Sequence, residues 1–237
     1  MKHGIKENCK QCGAPIHGKY CSNCGQPTQT NRLTLPSILH EVFHFFTHLE
    51  KGFLYTLKQL ITSPGHMQRN YIDGRRIRYQ KPFSLFFVCG TITATILYLI
   101  HKPSGDVSHF DEVQGDFTRH YYVLLQAILL PFYSFLTWLL FRNNKLNFAE
   151  SLVLFTYTLS MMLLIVIVTN LFDLLPNKSI NSAFYEIPVL FSYLLITNLN
   201  FFKAEPKWRL ILKTLINILM GYFVFKFASD LFVKFLM

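Results

Sequence analysis

The apolar positions of this chain follow two patterns of very different length. From residue 83 onward, five apolar runs recur: Phe83 to Ile100, Tyr122 to Phe141, Leu152 to Leu175, Phe184 to Phe202 and Leu210 to Ala228. Each is of the order needed for a helix to cross a hydrocarbon layer roughly 30 Å thick. Before residue 83 the pattern is shorter and helical in period. Ile38, Leu39, Val42, Phe43, Phe46 and Leu49 fall at helical spacings that line one face, and Leu54, Leu57, Leu60 and Ile61 continue the stripe beyond a bend expected at Gly52. Charges interrupt this stretch too often for it to span a bilayer. It predicts amphipathic helices lying at the lipid interface or packed beneath the membrane helices. Thr34 and Pro36 mark a helix start, Ser63 and Pro64 a second cap and first residue, and Gly74 a stop. The pattern therefore predicts an all-α integral membrane protein with about five transmembrane helices in residues 83–237, an amphipathic juxtamembrane helical segment in residues 31–82, and a separate small module in residues 1–30.

Charge supplies a direction. Lys and Arg number 23 against 13 Asp and Glu, and the chain before Pro82 holds 12 of the basic residues but 4 of the acidic ones. The fourth apolar run is the weakest, with Glu186 and Pro188 at its start and Asn198 and Asn200 near its end. Counting it as a span makes the loops alternate in sign: −2 over 101–120, +1 over 142–150, −1 over 173–186 and +3 over 203–213. Basic loops stay in the cytosol. The expected location is thus the bacterial inner (cytoplasmic) membrane, multi-pass, with the amino terminus cytosolic and the carboxyl terminus external. Arg69, Arg75, Arg76, Arg78 and Lys81 crowd up to the first run, where anionic headgroups attract each basic residue by about 1 kcal/mol. With 51% hydrophobic and 15% charged residues, a disordered chain, a collagen-like chain and a secreted disulfide miniprotein are excluded. The partner implied is a lipid bilayer with anionic headgroups, and no nucleic acid is expected.

Candidate chemistry lies first in the amino-terminal module. Cys9, Cys12, Cys21 and Cys24 form two Cys-x-x-Cys pairs separated by 8 residues, each followed by a glycine, Gly13 and Gly25. That spacing lets two thiolates from one tight turn bind a single ion, and two such turns complete a tetrahedral site. The module reads as a four-cysteine zinc ribbon, with iron in a rubredoxin-like site as the alternative, because thiolates alone do not separate the two metals. Two disulfides are the competing reading, set aside because the expected topology keeps these thiols in the reducing cytosol. A site whose four positions are all filled by protein supports folding and does not activate water. The module is therefore expected to bind, sense or position. Cys89, alone inside an apolar run, reads as a packing residue.

A second candidate is His40-Glu41-x-x-His44, with His48 one turn later. On a helix the three imidazoles share a face, and in zinc peptidases this arrangement supplies two ligands and a general base, here Glu41. Only three positions of the pattern are fixed, and Phe45 and Phe46 surround it with apolar surface. Interfacial histidines without chemistry are the simpler reading, a second metal site at His40, His44 and His48 the sharper one.

Several short motifs carry a family likeness. They are Cys9-x2-Cys12-Gly13, Gly18-Lys19-Tyr20-Cys21-x2-Cys24-Gly25-Gln26, Phe45-Phe46-Thr47-His48, Gly52-Phe53, Thr56-Leu57-Lys58, and Pro64-Gly65 followed by Tyr71, Gly74-Arg75-Arg76, Tyr79 and Pro82. In these the first 90 or so residues resemble an uncharacterised family of zinc-ribbon membrane proteins abundant in Bacteroidota, domain-of-unknown-function family 3667. The resemblance implies an inner-membrane protein with a cytosolic zinc ribbon and implies no activity. The function expected is a cytosolic platform that recruits, scaffolds or regulates a protein or lipid partner. A transporter or channel component is the alternative, and a membrane zinc metallopeptidase using His40, Glu41 and His44 the third reading.

Overall fold

A computed structural model describes residues 8–16, 18–43, 52–100, 121–172, 183–203 and 205–236. Eight helices form among them: α1 (Leu35–Phe43), α2 (Phe53–Thr62), α3 (His66–Ile72), α4 (Pro82–Ile100), α5 (Tyr122–Leu140), α6 (Phe148–Phe172), α7 (Ala183–Phe201) and α8 (Lys207–Leu236), with a 3₁₀ turn at Arg142–Asn144 between α5 and α6. No strand forms among the described residues; two isolated antiparallel bridges occur, Asn8 with Pro15 and Tyr20 with Pro27.

The axis of the bundle is α6. It packs against α4, α5 and α7, while α8 closes the far side against α5 and α7. A helix enclosed on all sides has no polar face, so its hydroxyls must be satisfied from within. Thr156, Thr158 and Ser160 each donate to the carbonyl four residues earlier. Other polar groups join neighbours. Ser151 Oγ donates to the Ser134 carbonyl at 3.0 Å, Thr93 Oγ1 to Leu163 at 3.3 Å, Asn198 Nδ2 to Thr214 Oγ1 at 3.1 Å and Asn217 Nδ2 to Thr137 Oγ1 at 2.9 Å. Bonds of this kind contribute around 0.6 kcal/mol each on average in membrane bundles.

The two ends of the bundle differ. At one end gather the linker before α1, helices α1 to α3, the α5–α6 turn and the α7–α8 connection. Asn200 Nδ2 there donates to the Pro64 carbonyl at 2.9 Å, and Asn144 Nδ2 to Glu205 Oε1 at 2.7 Å. At the other end the Tyr121 ring meets Phe232, with centroids 5.9 Å apart, and Tyr185 donates to the Thr169 carbonyl at 3.1 Å. Four helices, α4, α5, α6 and α8, are long and apolar enough to cross a membrane. The fourth apolar run does form a helix, α7, of 19 residues. It is not among those four, because Glu186, Pro188, Asn198 and Asn200 dilute it. Even so, α7 extends from Thr169 at one end of the bundle to Pro64 at the other.

The juxtamembrane helices depart in detail from the expected boundaries. α1 begins at Leu35, one residue before Pro36, and the reciprocal bonds at its start come from Ser37. Its Oγ accepts from the Thr34 N–H at 3.1 Å and donates to the Thr34 carbonyl at 2.7 Å. Phe46 and Leu49 of the expected stripe lie outside the described residues. In α2, Thr56 and Leu60 are buried beneath the bundle, whereas Leu54 and Ile61 of the expected stripe are exposed. Ser63 caps the end of α2, with its N–H bonded to the Gln59 carbonyl, and does not open α3. Gly65 opens it. At φ 81° Gly65 adopts left-handed backbone, and a Cβ there would stand 2.3 Å from the Thr197 carbonyl oxygen of α7. Contact with α7, which no local pattern records, therefore sets this boundary. The segment before α4 is held on both sides: the Gln80 N–H donates to Thr56 Oγ1 at 2.7 Å, and its carbonyl accepts from Tyr157 OH at 2.5 Å.

Replacing Gly65 by Ala should lower the stability of the detergent-solubilised protein by about 3 kcal/mol, from left-handed strain added to overpacking. Gly18→Ala is the control, since no atom lies within 4 Å of a Cβ there. Thermal unfolding checks both, and equal melting temperatures for the two variants would refute the close packing of α3 on α7.

Candidate metal centre

The amino-terminal module is built from one turn used twice. Asn8 to Pro15 and Tyr20 to Pro27 both read x-Cys-x-x-Cys-Gly-x-Pro, 12 residues apart. In each copy the first cysteine donates its N–H across the turn, Cys9 to Ala14 at 2.8 Å and Cys21 to Gln26 at 2.9 Å. The glycine N–H returns to that cysteine's carbonyl at 2.8 Å in both. Gly13 and Gly25 have φ of 75° and 74°, a left-handed turn that glycine makes without steric cost. The repeat was visible in the sequence as the two cysteine pairs, and the shared proline extends it.

The four sulfurs come together. All Sγ atoms lie within 4.8 Å of one another, with Cys9 and Cys24 at 3.6 Å and Cys12 and Cys21 at 3.6 Å. A disulfide needs about 2.05 Å, whereas sulfurs about 2.3 Å from a central zinc at tetrahedral angles stand about 3.8 Å apart. The cluster has the dimensions of the second case. Its electrostatics agree. The Cys12 amide, followed by that of Gln11, brings the Cys9 thiol down against the effect of burial. The Ala14 amide brings Cys12 down to about 6. At Cys24 the Gln26 amide acts in the same direction, but burial and the three neighbouring sulfurs outweigh it and push that thiol up to about 12. Four sulfurs this close do not all ionise without a cation among them, which is the condition a divalent metal removes.

The module is fastened to the helical body. The Gln26 side chain is 2% exposed. Its Nε2 donates to the Gly74 carbonyl at 3.1 Å, and its Oε1 accepts from the Ile77 N–H at 3.2 Å. Farther along the linker, Arg32 pairs with Glu150 through Nε to Oε1 at 2.6 Å and Nη2 to Oε2 at 2.8 Å. Asn147 Nδ2 donates to the Leu33 carbonyl at 2.9 Å. Sequence reasoning assigned no role to Arg32, Asn147 or Glu150, although Asn147-x-x-Glu150 is a capping-box spacing ahead of an apolar run.

The other candidate residues fare differently. Arg76 is spent inside the protein, on the carbonyls of Tyr71 and Asn31 at 3.1 Å each. Arg75 donates to Asn70 Oδ1 at 3.2 Å, Arg69 lies 3.4 Å from Asp73, Arg78 is exposed and Lys81 half-buried. The basic cluster is thus partly a structural collar. His40 is exposed on α1. His44, His48 and the side chain of Glu41 lie outside the described residues. Among the described residues the four cysteines are the one group of His, Cys, Asp and Glu close enough to hold a metal ion. Cys89 is fully buried in the bundle.

These features define a class, a bundle of membrane-length helices with a four-thiolate cluster at one end. Residues 50–94 match the model of a family described as Protein of unknown function (DUF3667), the family that the sequence motifs resemble. The match runs from just before α2 through the collar and into α4, and does not include the four cysteines of the cluster. No curated protein matches the chain, and no solved structure does.

Elemental analysis of the purified protein should give about one metal ion per chain, falling to none when Cys21 and Cys24 are both changed to Ser. Changing His40, His44 and His48 together to Gln should leave the content unaltered. Full metal in the cysteine variant would refute the site, and two ions in the native protein would reveal a second one.

Proposed function

We propose that the chain is a five-span inner-membrane protein whose zinc-loaded cysteine ribbon is a fixed cytosolic platform for recruiting or regulating a protein partner. The observation that carries this reading is the burial of Gln26 between the ribbon and the Gly74–Ile77 loop. A module on a loose tether would reorient freely. Here it is held in one orientation against the bundle, with Tyr20, 66% exposed, on its outer surface. A closed four-thiolate site holds shape and offers no open position for substrate, which suits a binding role. Zinc is the metal proposed, and iron would declare itself by visible thiolate-to-metal absorption.

Five spans are supported by the reach of α7 from one end of the bundle to the other, and by the meeting of the α5–α6 turn, the α7–α8 connection and the ribbon linker at the same end. Loop charge orients that end toward the cytosol. Reporter fusions at Gly4 and Lys145 should read cytosolic, and fusions at Gly105 and after Met237 external. A cytosolic carboxyl terminus would remove α7 as a span.

The platform itself is tested by capture from detergent extracts. The intact protein should retain a partner that is lost when Cys9 and Cys12 are changed to Ser, and that is weakened in Gln26→Ala. Gln26→Ala should keep its metal while the ribbon becomes more sensitive to limited proteolysis, since it loses two bonds worth about 1 kcal/mol each. Identical capture by all three proteins would overturn the reading.

A further inference from the structure

At the ribbon end of the bundle, α3, the α5–α6 turn and the end of α7 enclose a cleft of about 460 Å³ that the metal centre does not use. His66 and Arg69 enter from α3, Asn143 and Lys145 from the turn, and Lys203 from the α7–α8 connection. Phe201 and Phe202, 2% and 1% exposed, underlie it. Among the described residues no carboxylate lines this cleft. Those on the flanking segments are already paired. Glu205 accepts from Lys213 at 2.7 and 2.8 Å and from Asn144 at 2.7 Å, Glu150 is taken by Arg32, and Asp73 lies beside Arg69 Nε at 3.4 Å. The ammonium groups of Lys145 and Lys203 have no hydrogen bond or ion pair among the described residues. Three segments far apart in sequence thus bring excess positive charge to one concave site.

Two details make the site more than a basic surface. Lys145 has left-handed backbone at φ 57°, unusual for a residue with a side chain, and its carbonyl is held by Arg32 Nη2 at 2.7 Å. The backbone that carries the lysine is therefore held by the same residue that fastens the ribbon linker. Two Trp–Arg pairs lie on the segments that flank the cleft, Arg142 over Trp138 at 5.6 Å beside the α5–α6 turn and Arg209 over Trp208 at 5.2 Å at the start of α8. Trp is enriched at the headgroup level of a bilayer.

We infer that this cleft binds a phosphate group through Arg69, Lys145 and Lys203, with Asn143 and His66 as further donors. Guanidinium and ammonium groups converging on a concave site match the charge and geometry of a phosphate oxyanion. The headgroup of an anionic phospholipid is the source that the flanking Trp–Arg pairs favour, and a soluble phosphate carries the same chemistry. The lipid source rests on the topology proposed above. The phosphate chemistry does not, and the reporter fusions test that topology separately.

Native mass spectrometry of the full chain, released from detergent with graded phosphatidylglycerol or phosphatidylcholine, tests the inference. The native protein should hold about one phosphatidylglycerol in preference to phosphatidylcholine, and Lys145→Asn with Lys203→Gln should weaken this roughly tenfold or more, from two lost basic contacts. Asn is chosen at 145 because it accepts left-handed backbone. Lys234→Gln, an exposed lysine near the carboxyl end of α8 and outside the cleft, should leave the affinity unchanged. Melting temperature without ligand verifies that each variant is folded, and the single change Lys203→Gln, expected to weaken binding severalfold, replaces the double variant if that fails. Binding of inorganic phosphate that is lost in the lysine variants, with no lipid preference, would assign the soluble source. Equal binding of both lipids and of phosphate by the native and lysine-substituted proteins would overturn the site, as would a loss in Lys234→Gln as large as that in the cleft-lysine variants.

Discussion

The amino terminus of α6 is the point on which the arrangement depends. A helix that forms the axis of an apolar bundle begins with N–H groups that have no partner within the helix. Asn147 and Glu150 satisfy them reciprocally: the Glu150 N–H donates to Asn147 Oδ1 at 2.7 Å, and the Asn147 N–H donates to Glu150 Oε2 at 2.9 Å. The Glu150 carboxylate is only 6% exposed. Left without a cation, such a group would cost several kcal/mol, and Arg32 supplies that cation through two short bonds. One side chain thus starts the central helix and anchors the linker of the cysteine module.

From that anchor the ribbon end is built as a continuous set of contacts. Arg32 holds the carbonyl of Lys145, Asn147 holds that of Leu33, Arg76 reaches back to Asn31, and Gln26 bridges the ribbon to the loop after α3. The α3 segment in turn presses Gly65 and Pro64 onto the end of α7. The sulfur cluster and the cationic cleft stand on the same frame. Whatever binds either one meets a surface held at fixed distance from the bundle.

Polar residues within the bundle serve the same economy. Their hydroxyl and amide groups turn either onto their own helix or across to the next, and from Ile211 to Leu231 the exposed residues of α8, among them Leu219, Phe223 and Phe227, are apolar or aromatic apart from Lys226. Such a surface is stable against lipid tails and unfavourable against water.

Much of this protein follows from the sequence alone. The apolar runs fix α4, α5, α6 and α8, because length and hydropathy are local properties that a bilayer reads directly. The two Cys-x-x-Cys-Gly turns fix the cluster, because each pair is bound by its own tight turn. Gly74 ends α3 as expected, since a helix stop is also written locally. Other features were decided only in three dimensions. Gly65 takes over from Ser63 as the start of α3 because α7 leaves no room for a Cβ. Arg76 turns inward because the linker offers it carbonyls that no pattern announces. The cationic cleft joins residues 66–70, 143–145 and 200–203, which share no periodicity or motif. Contacts between segments more than forty residues apart leave no trace in local spacing, and the packing of the helices creates them.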